Sequence, residues 1–313
     1  MTDRVVHLEM RRGVLVARPL VSWNTDEART GIVAAVAGGL PKVAPLVVLD
    51  MVGFSGPADG LTLSMLLLQE VRARGGCCVV ASGDELWMQA LCLSQLQQVV
   101  ESCATVDEAV EAALGAGALR RSRVPRILAM ISGGGRSLLN LLEAIDRGEV
   151  RGTIVHVVSS GACGGVERAR ERGLEVEIVP GVLGSDVFGA MVRSRQIDLV
   201  ALAGYLKLVP MLSGTGCRIV NIHPSLLPKF GGKGMHGRRV HEAVLAAGET
   251  ESGCTVHFCN KTYDSGGIIL QRRCPVYPTD TAETLAARVF EQECLAYPQA
   301  VRKVLSSLGF SQP

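Results

Sequence analysis

The sequence lacks long apolar runs, an export signal and cysteine pairs, and each absence excludes a class of protein. Its longest apolar stretch, residues 61–68, is far too short to span a bilayer, so no membrane span is expected. The first residues contain no basic region followed by an apolar core, so we expect a cytoplasmic protein. The ten cysteines include no Cys-x-x-Cys pair, which leaves a metal site and a disulfide framework without support.

Aromatic residues and excess charge are also scarce. Aromatics make up 4% and hydrophobic residues 48% of the chain, so its cores should consist mainly of valine, leucine, alanine and isoleucine. Lys+Arg of 32 against Asp+Glu of 30 leaves a net charge of +2, which provides no general attraction for nucleic acid. We therefore expect neither a nucleic acid nor a membrane as a partner. A length of 313 residues favours two domains of ordinary size.

The first 115 residues show an α/β pattern of their own. The predicted strands lie near residues 5–10, 14–19, 46–50 and 77–81, with helical segments between them. A helix at 26–37 follows a possible cap at Asn24 or Thr25. A later helix follows Thr105, and Glu108 stands where a capping box requires it. These patterns predict a first domain over residues 1–115.

A short basic segment separates this pattern from the rest of the chain. Gly115-Ala116-Gly117 and a cluster of arginines before Pro125 predict a linker at residues 116–125. From residue 126 to 313, strands and helices alternate with short connections, which is typical of a parallel sheet. The second domain is therefore expected to be α/β, with a mostly parallel, doubly wound sheet covered by helices on both faces.

A glycine-rich run, Ser132-Gly133-Gly134-Gly135-Arg136-Ser137, joins a predicted strand to a helix. Backbone N–H groups and the helix N-terminus converge there on a site suited to an anion, for which phosphate is the natural occupant. Glycine lets the backbone approach such a ligand closely. Taken alone, the run fits a tight turn without a ligand equally well. The motifs further along the chain favour phosphate.

A polar pair emerges from an apolar strand in Asn221-Ile222-His223-Pro224-Ser225-Leu226-Leu227-Pro228. Because alternate residues of a strand project to one side, Asn221 and His223 can both donate hydrogen bonds to one developing negative charge. Asp264, on a later loop, supplies a carboxylate. The three residues together indicate acyl-type chemistry.

Four motifs agree in order and spacing with a known family. They are Ser132-Gly133-Gly134-Gly135, the Asn221–Pro228 string, Thr255-Val256-His257-Phe258 and Asp264. From residue 126 to about 305 the chain resembles the phosphoribosylglycinamide formyltransferases, the folate-dependent enzymes of purine synthesis. The resemblance implies transfer of a formyl group from the co-substrate N10-formyltetrahydrofolate to the amine of glycinamide ribonucleotide. It also implies that Asn221, His223 and Asp264 are the catalytic residues, with the Asp264 carboxylate favouring the protonated imidazole of His223.

The same resemblance implies two binding surfaces. The substrate's phosphate and ribose would contact Gly133, Gly134, Gly135, Arg136, Ser137 and Glu293. The folate would lie against Tyr205, Leu206, Lys207, Leu208 and Val209. Arg136 replaces a small residue of the family, and Lys207 replaces a common arginine. His257 is expected to support the site, whereas His236 and His241 are expected in solvent or in a substrate loop.

Residues 1–115 resemble the STAS domain, the small module of anti-sigma-factor antagonists. The resemblance rests on Val47-Val48-Leu49-Asp50, the loop 53–60, the segment 61–74 and the closing helix. Signalling members carry a phosphorylatable serine in this loop, but Pro57 and Ala58 occupy the corresponding places here. The resemblance therefore implies a protein partner without control by phosphorylation. Ser55 and Ser64 are interpreted as turn or cap residues.

Two alternatives to the transferase remain open from the sequence. Formyltetrahydrofolate hydrolase also couples a small α/β module to this kind of catalytic domain. The phosphate loop and the complete Asn221–Pro228 string favour transfer to a phosphorylated amine instead. The other alternative is a regulatory protein that senses folate or nucleotide and binds a partner through its STAS-like module. The presence of Asn221, His223 and Asp264 together favours an enzyme.

Overall fold

A computed structural model describes residues 5–20, 25–40, 45–53, 57–74, 76–94, 100–211 and 217–313. The chain divides into two compact α/β units, one formed mainly by residues up to Arg123 and the other mainly by residues from Val124. The described part of the chain contains no helix that is both long and apolar enough to cross a bilayer. Ser55, interpreted above as a turn or cap residue, lies outside the described residues.

The first unit is a five-stranded sheet with helices on both faces. Its strands are β1 (Val6–Arg11), β2 (Val14–Pro19), β3 (Leu46–Asp50), β4 (Cys77–Ala81) and β5 (Glu101–Cys103), in that spatial order. Its helices are α1 (Asp26–Gly39), α2 (Pro57–Ala73), α3 (Glu85–Leu93) and α4 (Val106–Ser122). Only β1 and β2 pair antiparallel, and the other described pairs are parallel.

Alternation along the strands gives this unit two apolar cores. Val47 and Leu49 pack on one face with Trp87, whereas Val48 packs on the other with Ala109 of α4. Each face of the sheet is therefore closed by its own helices. Ser64 is buried in α2 and donates its hydroxyl to the carbonyl oxygen of Gly60 at 2.7 Å, so it is no exposed acceptor for phosphate.

The helix caps explain where two helices of this unit begin, and one helix extends further than the sequence predicts. Thr25 accepts the Ala28 N–H at 3.2 Å, and Thr105 forms the predicted capping box with Glu108. Helix α4 continues to Ser122 and thus includes most of the predicted linker. Glycine in a helix costs only about 1 kcal/mol. At Gly117 an added Cβ would lie 3.0 Å from the Leu46 side chain, so glycine permits close packing there.

The second unit is a seven-stranded, mostly parallel sheet, as the sequence predicts. Its strands are β6 (Arg126–Ile131), β7 (Thr153–Ser159), β8 (Val176–Ile178), β9 (Leu199–Leu202), β10 (Arg218–His223), β11 (Glu251–Phe258) and β12 (Ile268–Pro275). Their spatial order is β12-β11-β10-β9-β6-β7-β8. Across the sheet, the five neighbouring strands β10, β9, β6, β7 and β8 pair in parallel. Strands β11 and β12 add an antiparallel edge next to β10.

Five helices complete the described part of this unit. They are α5 (Arg136–Asp146), α6 (Gly164–Glu171), α7 (Ser185–Ser194), α8 (Arg238–Ala246) and α9 (Ala282–Ser307). Leu138, Leu141 and Leu142 recur at helical spacing, which predicts an apolar stripe, and all three are buried in α5. Because β6, β9 and β10 are parallel neighbours, their carboxyl ends meet at one edge of the sheet, where open α/β sheets bind ligands.

Candidate active site

A cavity of about 690 Å³ opens at this edge of the second unit. Its walls are the glycine-rich run after β6, the segment 204–209 after β9, the end of β10, the Asp264 loop and one face of α9. All the catalytic, substrate-binding and folate-binding residues predicted from the sequence line this single cavity. These residues differ, however, in their hydrogen bonds and in their exposure to the cavity.

The carboxylate of Asp264 is the centre to which the polar groups of β10 converge. Its Oδ2 accepts the Gly232 N–H at 2.8 Å and lies 3.5 Å from Nδ1 of His223. Its Oδ1 accepts Nδ2 of Asn221 at 3.4 Å. Asn221 and His223 alternate along β10, and the pairing of β10 with β11 places His257 opposite Asn221. The two candidate donors therefore do reach a common partner.

Hydrogen bonds to carbonyl oxygens fix which imidazole nitrogens carry protons, because a carbonyl oxygen only accepts. Nε2 of His223 donates to the Phe230 carbonyl at 2.8 Å, which leaves its Nδ1 facing Asp264. Nδ1 of His257 donates to the Phe258 carbonyl at 2.8 Å. In its neutral form, Nε2 of His257 then accepts Nδ2 of Asn221 at 3.2 Å. His257 thus orients the Asn221 amide, in line with its expected supporting role.

This network differs from the prediction for Asn221. Both N–H groups of its amide are directed at existing acceptors, His257 and Asp264, rather than into open space. An amide nitrogen has two hydrogens, so a bond to a substrate oxygen must replace one of these two. The sequence could show that an amide donor was present but not that neighbouring groups already occupied it.

The protonation states of the site also differ in part from expectation. Burial lowers the pKa of His223 below its usual value, and the attraction of Asp264 only partly offsets this effect. A resting imidazolium at His223 was predicted, and the structure instead favours the neutral ring at pH 7. For Asp264, burial acts to raise the pKa, but contacts with His257 and His223 and the Gly232 N–H lower it overall. Asp264 is therefore ionised.

The glycine-rich run forms a tight connection that opens the start of α5. Gly135 is the residue before the helix and has φ 74°, and an added Cβ would lie 2.9 Å from Cα of Gly165. The Gly133 carbonyl accepts the Gly165 N–H at 3.0 Å, and the Gly134 carbonyl accepts Arg168 at 2.6 Å. Glycine has no side chain with which to cap the helix. The N–H groups of the first turn of α5 therefore remain for an anion.

The first turn of α5 faces α9 across the cavity. The guanidinium carbon of Arg136 lies 4.2 Å from the centre of the Phe290 ring. Burial raises the pKa of Glu293 to about 7, although the nearby charge of Arg136 opposes the shift. Glu293 is half-buried and lines the cavity. Sequence reasoning missed Phe290, but Ala286, Val289, Phe290 and Glu293 follow the spacing of one helix face, which was the available signal.

The segment after β9 presents backbone and aliphatic surface to the cavity, and its side chains differ in exposure. Tyr205 and Val209 are buried in the apolar core, so only Leu206 and Leu208 stand as exposed walls. Nζ of Lys207 donates to the Gly181 carbonyl at 2.7 Å, and a second backbone carbonyl lies at 3.4 Å. Lys207 thus connects the segment after β9 to the backbone of two neighbouring loops.

Two further side chains near the cavity were not anticipated in their roles. Ser132 accepts the Leu206 N–H at 3.0 Å and so ties the ends of β6 and β9 together. His241, expected in solvent or a loop, is buried in α8, and burial lowers its pKa. The signal for His241 was its place beside Val240 and Val244 on the apolar face of the helix. His236 is exposed, as expected.

The fold and cavity described above are those of a class of one-carbon transferases. Residues 125–301 match the model of the family described as formyl transferase, and the chain therefore belongs to this family. The residues before 125, which form almost all of the first unit, lie outside the match.

Similar proteins within the family carry a more specific name. The chloroplastic phosphoribosylglycinamide formyltransferase of Vigna unguiculata is 41% identical over 189 residues, which are 57% of this chain and 60% of the relative. Phosphoribosylglycinamide formyltransferase of Haemophilus influenzae is 34% identical over 186 residues, 56% of this chain and 85% of the relative. The solved structure of glycinamide ribonucleotide transformylase 1 from Symbiobacterium toebii superimposes with a TM-score of 0.53 and 36% identity over 58% of this chain and 88% of that one.

Proposed function

We propose that the chain transfers a formyl group from N10-formyltetrahydrofolate to the amine of glycinamide ribonucleotide, a step of purine biosynthesis. The observation that supports this most is the meeting of Asn221, His223 and Asp264 within 3.5 Å in the cavity that also contains the anion-binding start of α5. The names of the similar proteins agree with this activity. The chain spans only 60% of the length of the Vigna relative, and the proposal concerns the cavity-bearing unit.

The hydrogen bonds of His223 indicate which of its two ring nitrogens accepts a proton from the substrate amine. When the neutral amine attacks the formyl carbon, a new C–N bond forms and the formyl oxygen gains negative charge. The bond from the formyl carbon to N10 of the folate then breaks, the amine nitrogen loses a proton and N10 gains one. Since Nε2 of His223 is bonded to the Phe230 carbonyl, Nδ1 is the atom that takes up the proton. Asp264, 3.5 Å away, stabilises the imidazolium that results. The lowered pKa of His223 suits a group that gains its proton during the reaction.

The other cavity walls fit the proposed substrates. The exposed Leu206 and Leu208 offer aliphatic surface to a flat heterocycle, with backbone groups of the segment 204–209 beside them. Bound there, the folate supplies the formyl group as an activated one-carbon unit. At the opposite side, the N–H groups of α5 suit a phosphate and the Glu293 carboxyl suits the hydroxyls or amide of the nucleotide.

One assay separates the proposed activity from its alternatives. Purified protein is incubated with formyltetrahydrofolate, with and without glycinamide ribonucleotide, and release of the deformylated folate is followed. We expect turnover that depends on the amine. Turnover without the amine would indicate a hydrolase, and absence of turnover in both mixtures would indicate a regulatory protein.

We also propose that the first unit is a STAS-like module that binds a protein partner. Its support is the mixed sheet, with one antiparallel pair followed by parallel strands and with helices on both faces. The partner and a cytoplasmic location stay predictions, since the plant relatives are named as chloroplastic. We expect substitutions on the exposed surface of this unit to leave kcat of the purified enzyme unchanged. A lowered kcat would contradict a purely partner-binding role.

A further inference from the structure

Three polar side chains form a row across the strands β10, β11 and β12. The pairing of β10 with β11 places Thr255 opposite His223, and the pairing of β11 with β12 places Gln271 opposite Thr255. Residues directly opposite each other in an antiparallel pair project to the same face of the sheet. Thr255 is fully buried and Gln271 is half-buried, and neither lines the cavity. An effect of these two residues on the site must therefore pass through other groups.

The Thr255 hydroxyl and the Gln271 amide hold the backbone that follows His223. The hydroxyl of Thr255 donates to the Ser225 carbonyl at 2.6 Å and accepts the Leu227 N–H at 3.0 Å. The amide of Gln271 donates to the Leu227 carbonyl at 2.9 Å and to the Thr255 hydroxyl at 3.0 Å. These bonds use the hydrogen and both lone pairs of the hydroxyl and both hydrogens of the amide. The backbone is thus fixed from outside the cavity.

The same segment, residues 225–230, carries the carbonyl that binds His223. Ser225 donates its buried hydroxyl to the Lys229 carbonyl at 2.7 Å, and the Lys229 N–H donates to the Leu226 carbonyl at 3.2 Å. The next residue, Phe230, has φ 56°, a left-handed conformation that a non-glycine residue keeps only where its surroundings fix it. Its carbonyl accepts Nε2 of His223 at 2.8 Å. The segment 225–230 therefore sets the position of this carbonyl.

The position of the Phe230 carbonyl decides which neutral form His223 adopts. A neutral imidazole has one N–H, and two acceptors compete for it. They are the Phe230 carbonyl at Nε2 and the Asp264 carboxylate, 3.5 Å from Nδ1. With the proton on Nε2, Nδ1 keeps a lone pair that can take the proton of the substrate amine. With the proton on Nδ1, the ring donates to Asp264 and that lone pair is no longer available.

We propose that Gln271 and Thr255 are positioning residues that select the reactive tautomer of His223. They hold the segment 225–230 so that the Phe230 carbonyl stays bonded to Nε2 and leaves Nδ1 free. The inference rests on the proposed function, because it takes His223 as the group that accepts a proton during formyl transfer. The tautomer itself is a property of the protein alone, so it can be measured without any substrate.

The direct test determines the tautomer of His223 in the full-length protein by nitrogen-15 NMR, at a pH well above the lowered pKa of the ring. We expect the Nε2–H form in the wild type. We expect a mixture with the Nδ1–H form in Gln271→Met, which keeps a side chain of similar size but removes both N–H donors. An Nδ1–H form in the wild type, or the wild-type tautomer in Gln271→Met, overturns the proposal.

The matched control for this change is Gln292→Met. Gln292 is half-buried and its side-chain oxygen accepts Nε of Arg272 on β12 at 3.2 Å, so the control removes an amide that contacts the same strand. The Gln292 side chain does not line the cavity. We expect this variant to keep the wild-type tautomer. The same mixture in Gln271→Met and Gln292→Met would show that any loosening of β12 has this effect, and would overturn the proposal.

Thr255 offers a second test with a conservative rescue. Thr255→Val removes the hydroxyl and keeps the branched shape, whereas Thr255→Ser keeps the hydroxyl. We expect the mixture of tautomers in Thr255→Val and the wild-type tautomer in Thr255→Ser. The reverse order would overturn the role of the hydroxyl. Circular dichroism verifies that each variant is folded, and Gln271→Met decides the test where Thr255→Val is not.

Kinetics then separate this inference from the proposed function. If the chain is the transferase, Gln271→Met should lower kcat about ten- to a hundredfold, as for a small misplacement of a catalytic group. KM for both substrates should stay within about twofold, because Gln271 does not line the cavity in which they bind. A changed tautomer without formyl transfer in any variant or in the wild type would support the inference and reject the transferase. Formyl transfer with wild-type kcat and tautomer in Gln271→Met would do the reverse.

Discussion

Two carboxyl groups of one cavity have pKa values that their surroundings shift in opposite directions. Asp264 accepts a backbone N–H and lies beside two imidazoles, so its pKa is lowered and it is ionised. Glu293 lies in a desolvated part of the cavity, and its pKa is raised to about 7. Environments that separate the pKa values of two acids also separate their roles. Asp264 suits stabilisation of positive charge, and Glu293 suits recognition of hydrogen-bond donors.

Replacing the carboxylate of Asp264 should remove the partner of His223. In Asp264→Asn the attraction that raises the pKa of His223 is lost, while the burial that lowers it remains. We expect the pKa of His223, measured by NMR titration, to fall below that of the wild type. We expect kcat to decrease about a hundred- to a thousandfold, as for loss of one preorganised electrostatic group.

The control for this change is Asp186→Asn, which removes an exposed carboxylate in the first turn of α7, away from the cavity. It should leave both kcat and the pKa of His223 as they are. An Asp264→Asn enzyme with wild-type kcat would refute the role assigned to the carboxylate.

Glu293 should make stability depend on pH. Its pKa of about 7 exceeds the usual value of 4.5, so the folded state holds the proton more tightly than the unfolded state. The stability that it contributes is fully present below pH 4.5 and is lost as the pH rises through 7. The always neutral Glu293→Gln should therefore match the wild type in urea unfolding below pH 4.5. At pH 8 it should be more stable by on the order of 2 kcal/mol.

The same variant should bind the nucleotide more weakly if Glu293 recognises its hydroxyls or amide. Stability and affinity would then change in opposite directions in one protein at pH 8. A Glu293→Gln variant with the same relative stability at both pH values would show that the carboxyl is solvated.

At the scale of elements, the loop between β11 and β12 places Asp264 through unusual backbone geometry. Asp264 has φ 53°, a left-handed conformation that non-glycine residues adopt rarely. Two residues later, a Cβ on Gly266 would lie 1.7 Å from the Phe258 carbonyl oxygen, a distance no side chain can occupy. The Asp264 carboxylate can therefore reach its place in the cavity only if residue 266 is a glycine.

Gly266→Ala should displace this loop, whereas the neighbouring Gly267→Ala should not. At Gly267 an added Cβ would meet only the Phe258 ring, at an ordinary 4.0 Å. We expect Gly266→Ala to lower kcat about a hundredfold through misplacement of Asp264, and to cost about 2–4 kcal/mol of unfolding free energy. Gly267→Ala should stay close to the wild type in both measurements. Equal effects of the two substitutions would mean that the loop adapts to a side chain.

Many of the helices and strands could be predicted from the sequence, because the signals that specify them lie in residues close together along the chain. The capping box at Thr105 and the apolar stripe of α5 depend on residues three or four apart, and the structure confirms both. The continuation of α4 through Gly117 depends on Leu46, which is distant in sequence. The same limit applies in the cavity. A motif revealed the presence of Asn221, but its hydrogen-bond partner His257 comes from another strand.

At the scale of the whole molecule, each unit has a sheet and an apolar core of its own. The first unit buries Trp87 among α1, α2 and α3, whereas the second buries Phe188 against β6 and β9. Both tryptophans of the chain, Trp23 and Trp87, precede residue 124. Tryptophan fluorescence therefore reports on the first unit, and circular dichroism reports on both. This arrangement allows the two units to be followed separately in one intact protein.

Ligand binding should consequently stabilise the two units unequally. A ligand that binds only the folded state adds about 2.7 kcal/mol at a hundred times its Kd. In a unit of this size we expect ribose 5-phosphate to raise Tm by about 5–10 °C. The cavity lies in the second unit, so the shift should appear in the far-ultraviolet circular dichroism melt and be absent from the tryptophan fluorescence melt. Ribose without phosphate is the control and should move neither curve. Equal shifts in both signals would show that the units unfold as one cooperative body, and that the first unit is coupled energetically to the site it does not contain.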